Sequence, residues 1–287
     1  MPLLASLAAV YVIWSSTYLA MRVAVAELPP FAMASTRFLI AGAVLLAIAR
    51  RRGAAWPSAR VWRRNLPIGA LLFVGGNGFV AIAEQSVSSG GAAIVCATMP
   101  LWVGVFGAVF GVRPTAREWA SLVLGFTGVV VLMGGPSLDG KPAHVALLIA
   151  SPIAWAIGSL LSRRGKGAEG PQATMVNAAV QMLCGSAVLA IAAIVRGEPL
   201  AVHASATAWF AVGYLAVFGS IISFTAYAWL LANARPVVAT SYAFVNPILA
   251  VLLGAALYGE PLGITTVIAN AMIVGAVVLA VTRRRSA

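Results

Sequence analysis

From beginning to end the chain alternates long apolar runs with short breaks rich in Pro, Gly and Arg. A helix needs about 20 mostly apolar residues to cross roughly 30 Å of hydrocarbon. Ten runs meet or approach that length. Membrane-spanning helices are therefore predicted over residues 3–21, 31–49, 66–85, 90–110 and 119–133, and again over 145–161, 174–195, 209–231, 236–258 and 263–281. Hydrophobicity in these runs is continuous and does not alternate, which argues for helices and against a β-barrel.

The ten runs form two sets of five. Shifted by 147 residues, Pro100 falls on Pro247, Gly107 on Gly254, Pro114 on Pro261 and Gly128 on Gly275; at a shift of 141, Trp14 and Arg22 fall on Trp155 and Arg163. Two units are expected, at residues 1–136 and 143–282, followed by a basic tail at 283–287. Five spans is an odd number, so consecutive units enter the membrane in opposite senses. The predicted fold is an all-α membrane protein, ten helices arranged as two inverted five-helix repeats around a central cavity. Inverted repeats of this kind build transporters.

Charge supplies an orientation. If both termini are cytoplasmic, the inner loops hold 15 of the 19 Lys and Arg residues and the outer loops only Lys141 and Arg196. Arg22 and Arg37 belong to the spans. Basic residues favour the cytoplasmic side, so both termini of this multi-pass protein are placed there. The chain opens apolar with no basic leader, and its first span is read as retained.

Composition closes off other classes. Hydrophobic residues make up 61% of the 287 residues and charged residues 9%, with a mean hydropathy of +0.97. A soluble domain carries about 25% charged residues, so the surrounding solvent is lipid. The net charge of +12 lies in dispersed clusters between spans, not on one face, and nucleic acid is not an expected partner. Cys96 and Cys184 stand alone in apolar runs, and both histidines fall in loops. An enzyme would need a nucleophile with a base, or metal ligands, at membrane depth; no such constellation is present. Neither catalysis, a cofactor nor a metal is expected.

Polar and aromatic residues at mid-span mark the expected solute path. Helical spacing puts Trp14 with Tyr18, Met99 with Trp102, Trp155 with Ser159, Phe224 with Tyr227 and Tyr242 with Asn246 on shared faces. Asn77 lies on one face of the third span with Glu84. These residues, Glu84 apart, are the candidate substrate-binding set; bundle packing or interfacial anchoring is the competing explanation for each. Pro100 and Pro247, at matching places in the two units, are the candidate hinges, since proline removes a helix hydrogen bond. Arg37 and Glu84 are read as structural charges, with a mutual ion pair among the options. No acid is evident near the midplane, so passive exchange down a gradient is expected. Glycines at 107 and 111 (G-x-x-x-G) and at 125 and 128 are assigned to close helix packing.

Two segments, "ATMPLWVGVFGAVFGVRPTAREWASLVLGFTGVVVL" and "FVNPILAVLLGAALYGEPLGITTVIANAMIVGAVVL", resemble the EamA unit of the drug/metabolite transporter superfamily in its mid-helix proline, "GE-x-L"-type turn and "G-x-x-x-L" last helix. The turn acid is present as Glu260, but Arg113 stands at the matching place in the first unit. The resemblance implies a ten-helix exporter of a bacterial inner membrane whose fifth and tenth helices stand aside from the cavity. It also implies amino acids as substrates, aromatic ones favoured, with other metabolites and organic cations as the alternative and proton coupling left open. The expected partners are one small solute and the bilayer, and the expected state is a monomer.

Overall fold

The computed structural model describes residues 3–87, 89–132, 134, 140–164, 171–199, 204–249 and 264–282. The turn residue Glu260, Gly254, Pro261, His203 and the terminal arginines Arg283, Arg284 and Arg285 lie outside the described residues. The described chain is helical: α1 (Leu3–Val25), α2 (Pro30–Arg51), α3 (Ala59–Ala83), α4 (Ser89–Cys96), α5 (Met99–Gly107), α6 (Ala116–Leu132), α7 (Pro142–Arg164), α8 (Pro171–Val195), α9 (Ala206–Asn233), α10 (Pro236–Leu249) and α11 (Ile264–Val281). Of these, α1, α2, α3, α7, α8, α9 and α11 are long and apolar enough to cross a membrane. The remaining expected spans are shorter. The fourth breaks at Ala97–Thr98 into α4 and α5, the fifth is α6, and the ninth is described as far as Leu249, with a turn at Ser241.

Local sequence explains the boundaries. Pro30, Pro142, Pro171 and Pro236 each open a helix, where the missing N–H has no partner to lose. Helices α2 and α8 end in matching fashion. Gly53 and Gly197 adopt φ of 86° and 66°, letting the next residue's N–H reach back to Ala49 O and Ala193 O. One boundary differs from the pattern of apolar runs. Helix α3 starts at Ala59, ahead of the run that begins at Leu66, because its arginines can project past the hydrocarbon while the backbone stays helical.

Helices pair across the two halves of the chain. Helix α1 packs on α9 and α7 packs on α3; α2 packs on α8, α6 on α11, and α5 on both α7 and the start of α10. Polar side chains tie the bundle internally: α8 bonds α2 through Ser186 Oγ donating to Ser35 O at 2.9 Å, and bonds α3 through Gln181 Nε2 donating to Asn65 Oδ1 at 2.9 Å. The outward faces carry Val44, Val105, Val123, Ile191, Ile194, Phe210, Val267 and Val278 exposed. Apolar residues outside and bonded polar residues inside suit a lipid solvent.

Glycine placement corrects one expectation. Gly125 and Gly128 are packing positions, since a Cβ there would come within 2.6 Å of Phe244 and 2.7 Å of Ile273. Gly107 and Gly111 are not. They close the end of α5, where Val112 N–H reaches Gly107 O at 2.8 Å, so the G-x-x-x-G spacing serves a helix cap rather than a helix contact.

Candidate functional site

Two of the long helices depart from α geometry at corresponding places. Residues Ala70–Gly78 of α3 and Leu215–Ile222 of α9 are π-helical. Such widened turns free backbone carbonyls and recur at functional sites. In α3, Asn77 Nδ2 reaches Leu72 O at 3.4 Å; in α9, Ser220 Oγ reaches Leu215 O at 3.1 Å. Each stretch also offers a glycine carbonyl to the first helix of the other half. Ser151 Oγ of α7 donates to Gly76 O at 2.8 Å, and Trp14 Nε1 of α1 donates to Gly219 O at 2.9 Å. Both glycines leave room for a neighbour: a Cβ on Gly76 would lie 2.3 Å from the Trp155 ring, and one on Gly219 would lie 2.9 Å from Arg37 Nη2 and push it aside.

Between these widened turns lies a cavity of about 110 Å³, several times the space one water requires. Trp14, Asn77, Met99, Trp155, Phe224, Tyr242 and Asn246 line it, seven of the residues predicted from helical faces. Trp14 is the centre of an aromatic cluster, with ring centroids 4.5 Å from Tyr242, 5.2 Å from Tyr227 and 5.9 Å from Trp155. Asn246 Oδ1 accepts from Ser15 Oγ at 3.3 Å, fixing α10 to α1. Tyr11 and Ser241 hydroxyls join the same helices at 2.6 Å.

The other predicted residues sit elsewhere. Tyr227 is fully buried behind the wall, its hydroxyl 2.7 Å from Ser159 Oγ and 3.2 Å from Trp155 Nε1, so Tyr227 and Ser159 hold Trp155 rather than line the cavity. Trp102 stacks on Phe106 at 5.8 Å and donates to Thr98 Oγ1 at 3.2 Å, away from the lining. Tyr18 lies on α1, and its side chain is outside the described residues. Pro100 is the second residue of α5, in its first turn after the α4–α5 break, whereas Pro247 lies within α10 beyond its turn at Ser241.

Two charges need correction. Arg37 does not pair with Glu84. Its Nε donates to Ser220 Oγ at 2.8 Å, its guanidinium lies 4.7 Å from the Phe38 ring centroid, and it lines the cavity while only 5% exposed. Glu84 caps the end of α3, outside the lining, and its Oε2 is buried with no hydrogen-bond partner among the described residues. Sequence reasoning missed Thr17, Phe38, Phe73, Gly76, Cys96, Ser151 and Gly219 in the lining. The matched "GGN" and "FGS" at 75–77 and 218–220 are the signal that could have found the two glycines.

Where Arg113 replaces the turn acid, Glu118 takes up the local work. Its Oε2 accepts from Thr115 N at 2.7 Å and its own N–H points to Thr115 Oγ1 at 3.3 Å, a reciprocal cap for α6. Arg235 Nη2 donates to the same carboxylate at 2.7 Å and to Arg113 O at 3.1 Å. This turn is thereby fastened to the start of α10.

Comparison with known proteins agrees with this architecture. The chain is 43% identical over 280 residues to the "Uncharacterized inner membrane transporter YedA" of Escherichia coli K12, covering 97% of this chain and 90% of that protein. It is 23% identical over 286 residues to the "Uncharacterized transporter YvbV" of Bacillus subtilis, covering 98% and 92%. It is 26% identical over 246 residues to "Protein PecM" of Dickeya dadantii, covering 84% and 80%. A crystal structure superposes with a TM-score of 0.78 at 24% identity, covering 96% of this chain and 95% of that one, and shares the fold. The model of the EamA-like transporter family matches twice, at residues 2–134 and 143–282, and the chain belongs to that family.

Proposed function

We propose that the chain is an inner-membrane exporter that carries amino acids, neutral and aromatic ones above all, through the aromatic-lined cavity by alternating access. Ten crossings are proposed: the seven long helices, the broken pair α4–α5, and α6 and α10. The observation that carries this reading is the symmetric exchange of contacts. Swapping the halves turns the α1–α9 contact into α7–α3 and returns α2–α8 and α6–α11 to themselves, which two inverted copies of one unit require. In this arrangement the cavity lies between the two widened turns, each of which contributes to its lining. Aromatic solutes fit the Trp14, Trp155 and Tyr242 rings. Pro100 and Pro247 act as hinges, both termini face the cytoplasm, and the protein works as a monomer.

The test is counterflow in proteoliposomes loaded with amino acids, nucleosides or organic cations. Saturable exchange of neutral amino acids is expected. Exchange confined to nucleosides or cations would overturn the amino-acid reading and favour the metabolite or drug alternative.

A second reading, proton-coupled export, draws on the buried Oε2 of Glu84, which has no hydrogen-bond partner among the described residues. Passive exchange predicts that a pH gradient alone drives no uphill accumulation; accumulation abolished by Glu84→Gln would favour coupling.

A further inference from the structure

Arg37 is a cation placed where membrane proteins tolerate one only with a partner. It sits on α2 seven residues after Pro30, about 10 Å along the axis from the start of the helix. Ser220 occupies its Nε. Neither Nη nitrogen has a carboxylate or carbonyl acceptor among the described residues, where the ion pairs lie elsewhere, at Arg196–Glu198 and Arg235–Glu118. Among the described residues the cavity lining contains no Asp or Glu, and Arg37 is its charged group.

The surroundings look built to present this group. The widened turn of α9 supplies Ser220 to Arg37 and Gly219 O to Trp14 Nε1 on successive residues. Gly219 leaves room for Nη2, since a Cβ there would lie 2.9 Å from it. The outcome is a charged fork and an indole held side by side on one wall. A guanidinium with free Nη donors matches a carboxylate in shape and charge.

We propose that Arg37 is the anion-binding group of the cavity, and that the transported solute carries one carboxylate beside an apolar or aromatic body. The empty site leaves the Nη donors to water; the loaded site gives them the solute carboxylate. Organic cations are disfavoured because they would meet an uncompensated positive charge. The inference rests on the central cavity being the solute site, and it narrows the substrate class within that reading.

The experiment uses the purified full chain with four matched probes: phenylalanine, 3-phenylpropionate, phenylalaninamide and phenethylamine. Binding is read by thermal shift in detergent and transport by counterflow in proteoliposomes. The two carboxylates should bind, and the amide and amine should bind about ten- to a hundredfold more weakly, the range set by a charge-assisted hydrogen bond. Arg37→Gln keeps a donor for Ser220 but removes the charge, and should erase that preference. Ser220→Ala should retain it in part, and Gly219→Ala should weaken carboxylate binding by displacing the guanidinium. Equal binding of all four probes by the wild-type protein, or binding by none, would overturn the proposal even if Arg37→Gln failed to fold. An unchanged preference in a folded Arg37→Gln protein would also overturn it. Carboxylate-selective binding without any counterflow would leave the anion site standing and sink the transport reading instead.

Discussion

Side chains at the cavity divide into those that touch its space and those that stand behind it. Trp155 touches it, with its indole N–H tied to Tyr227. Truncation to alanine removes an aromatic wall whose ring contacts contribute about 0.5–1.5 kcal/mol each beyond their area. Trp155→Ala should therefore lower counterflow about tenfold while leaving membrane insertion and yield intact. Asn246→Ala should act in the same direction through loss of the Ser15 contact. Unchanged exchange rates would remove either residue from the site. Residues on one helical face were legible because the 3.6-residue period sets them, as with Tyr242 and Asn246. The place of Arg37 at the cavity was not, because Ser220, its partner, is 183 residues away and no local pattern joins them. Tyr227 and Ser159 share helical faces with true lining residues but point one step behind them, and periodicity alone cannot resolve that angle.

Among the helices, ends and crossings carry the separable predictions. Helix α2 has no side-chain cap of its own at Pro29, yet Glu198 from the far half accepts the N–H of Ala32 at 2.9 Å and of Phe31 at 3.1 Å. A carboxylate at a helix N-terminus satisfies orphan donors and the dipole. Glu198→Ala should cost about 1 kcal/mol and lower the melting temperature by about 2–4 °C in detergent. On the same loops, Ser205 donates to Glu27 through its N–H and its hydroxyl, both at 2.7 Å, and these bonds, backbone first, hold the Glu27 carboxyl below the usual carboxylate range. Its lowered folded-state pKa contributes stability above the ordinary carboxylate range, lost as pH falls through the folded value. Glu27→Gln should accordingly flatten the melting-temperature profile between about pH 5 and pH 3. Gly128→Val would push a side chain into Ile273 and Met272 of α11; overpacking of this kind costs about 1–3 kcal/mol, seen as a lower melting temperature. Apolar length located these helices well, from α1 to α11. The π-helical stretches were not legible, because a widened turn leaves hydrophobicity unchanged and registers only in which backbone groups pair.

For the whole molecule, the claim is that two copies of one unit enter the membrane in opposite senses and clasp a solute path. Repeat and charge bias suggested this from sequence, since paired prolines and basic loops survive in linear order. The clasp itself depends on contacts between halves, such as α1 with α9, which a single sequence does not encode visibly. Equivalent loops of the two units give the sharpest test. The loop after α2 carries exposed Trp56, and its counterpart after α8 carries exposed Arg196. In a Cys96→Ser, Cys184→Ser background, Trp56→Cys and Arg196→Cys are labelled in intact cells with a membrane-impermeant maleimide, before and after permeabilisation. Inverted copies predict that the thiol at 196 reacts in intact cells and the thiol at 56 only after permeabilisation. Reaction of both from the same side would contradict the inverted arrangement and the solute path built on it.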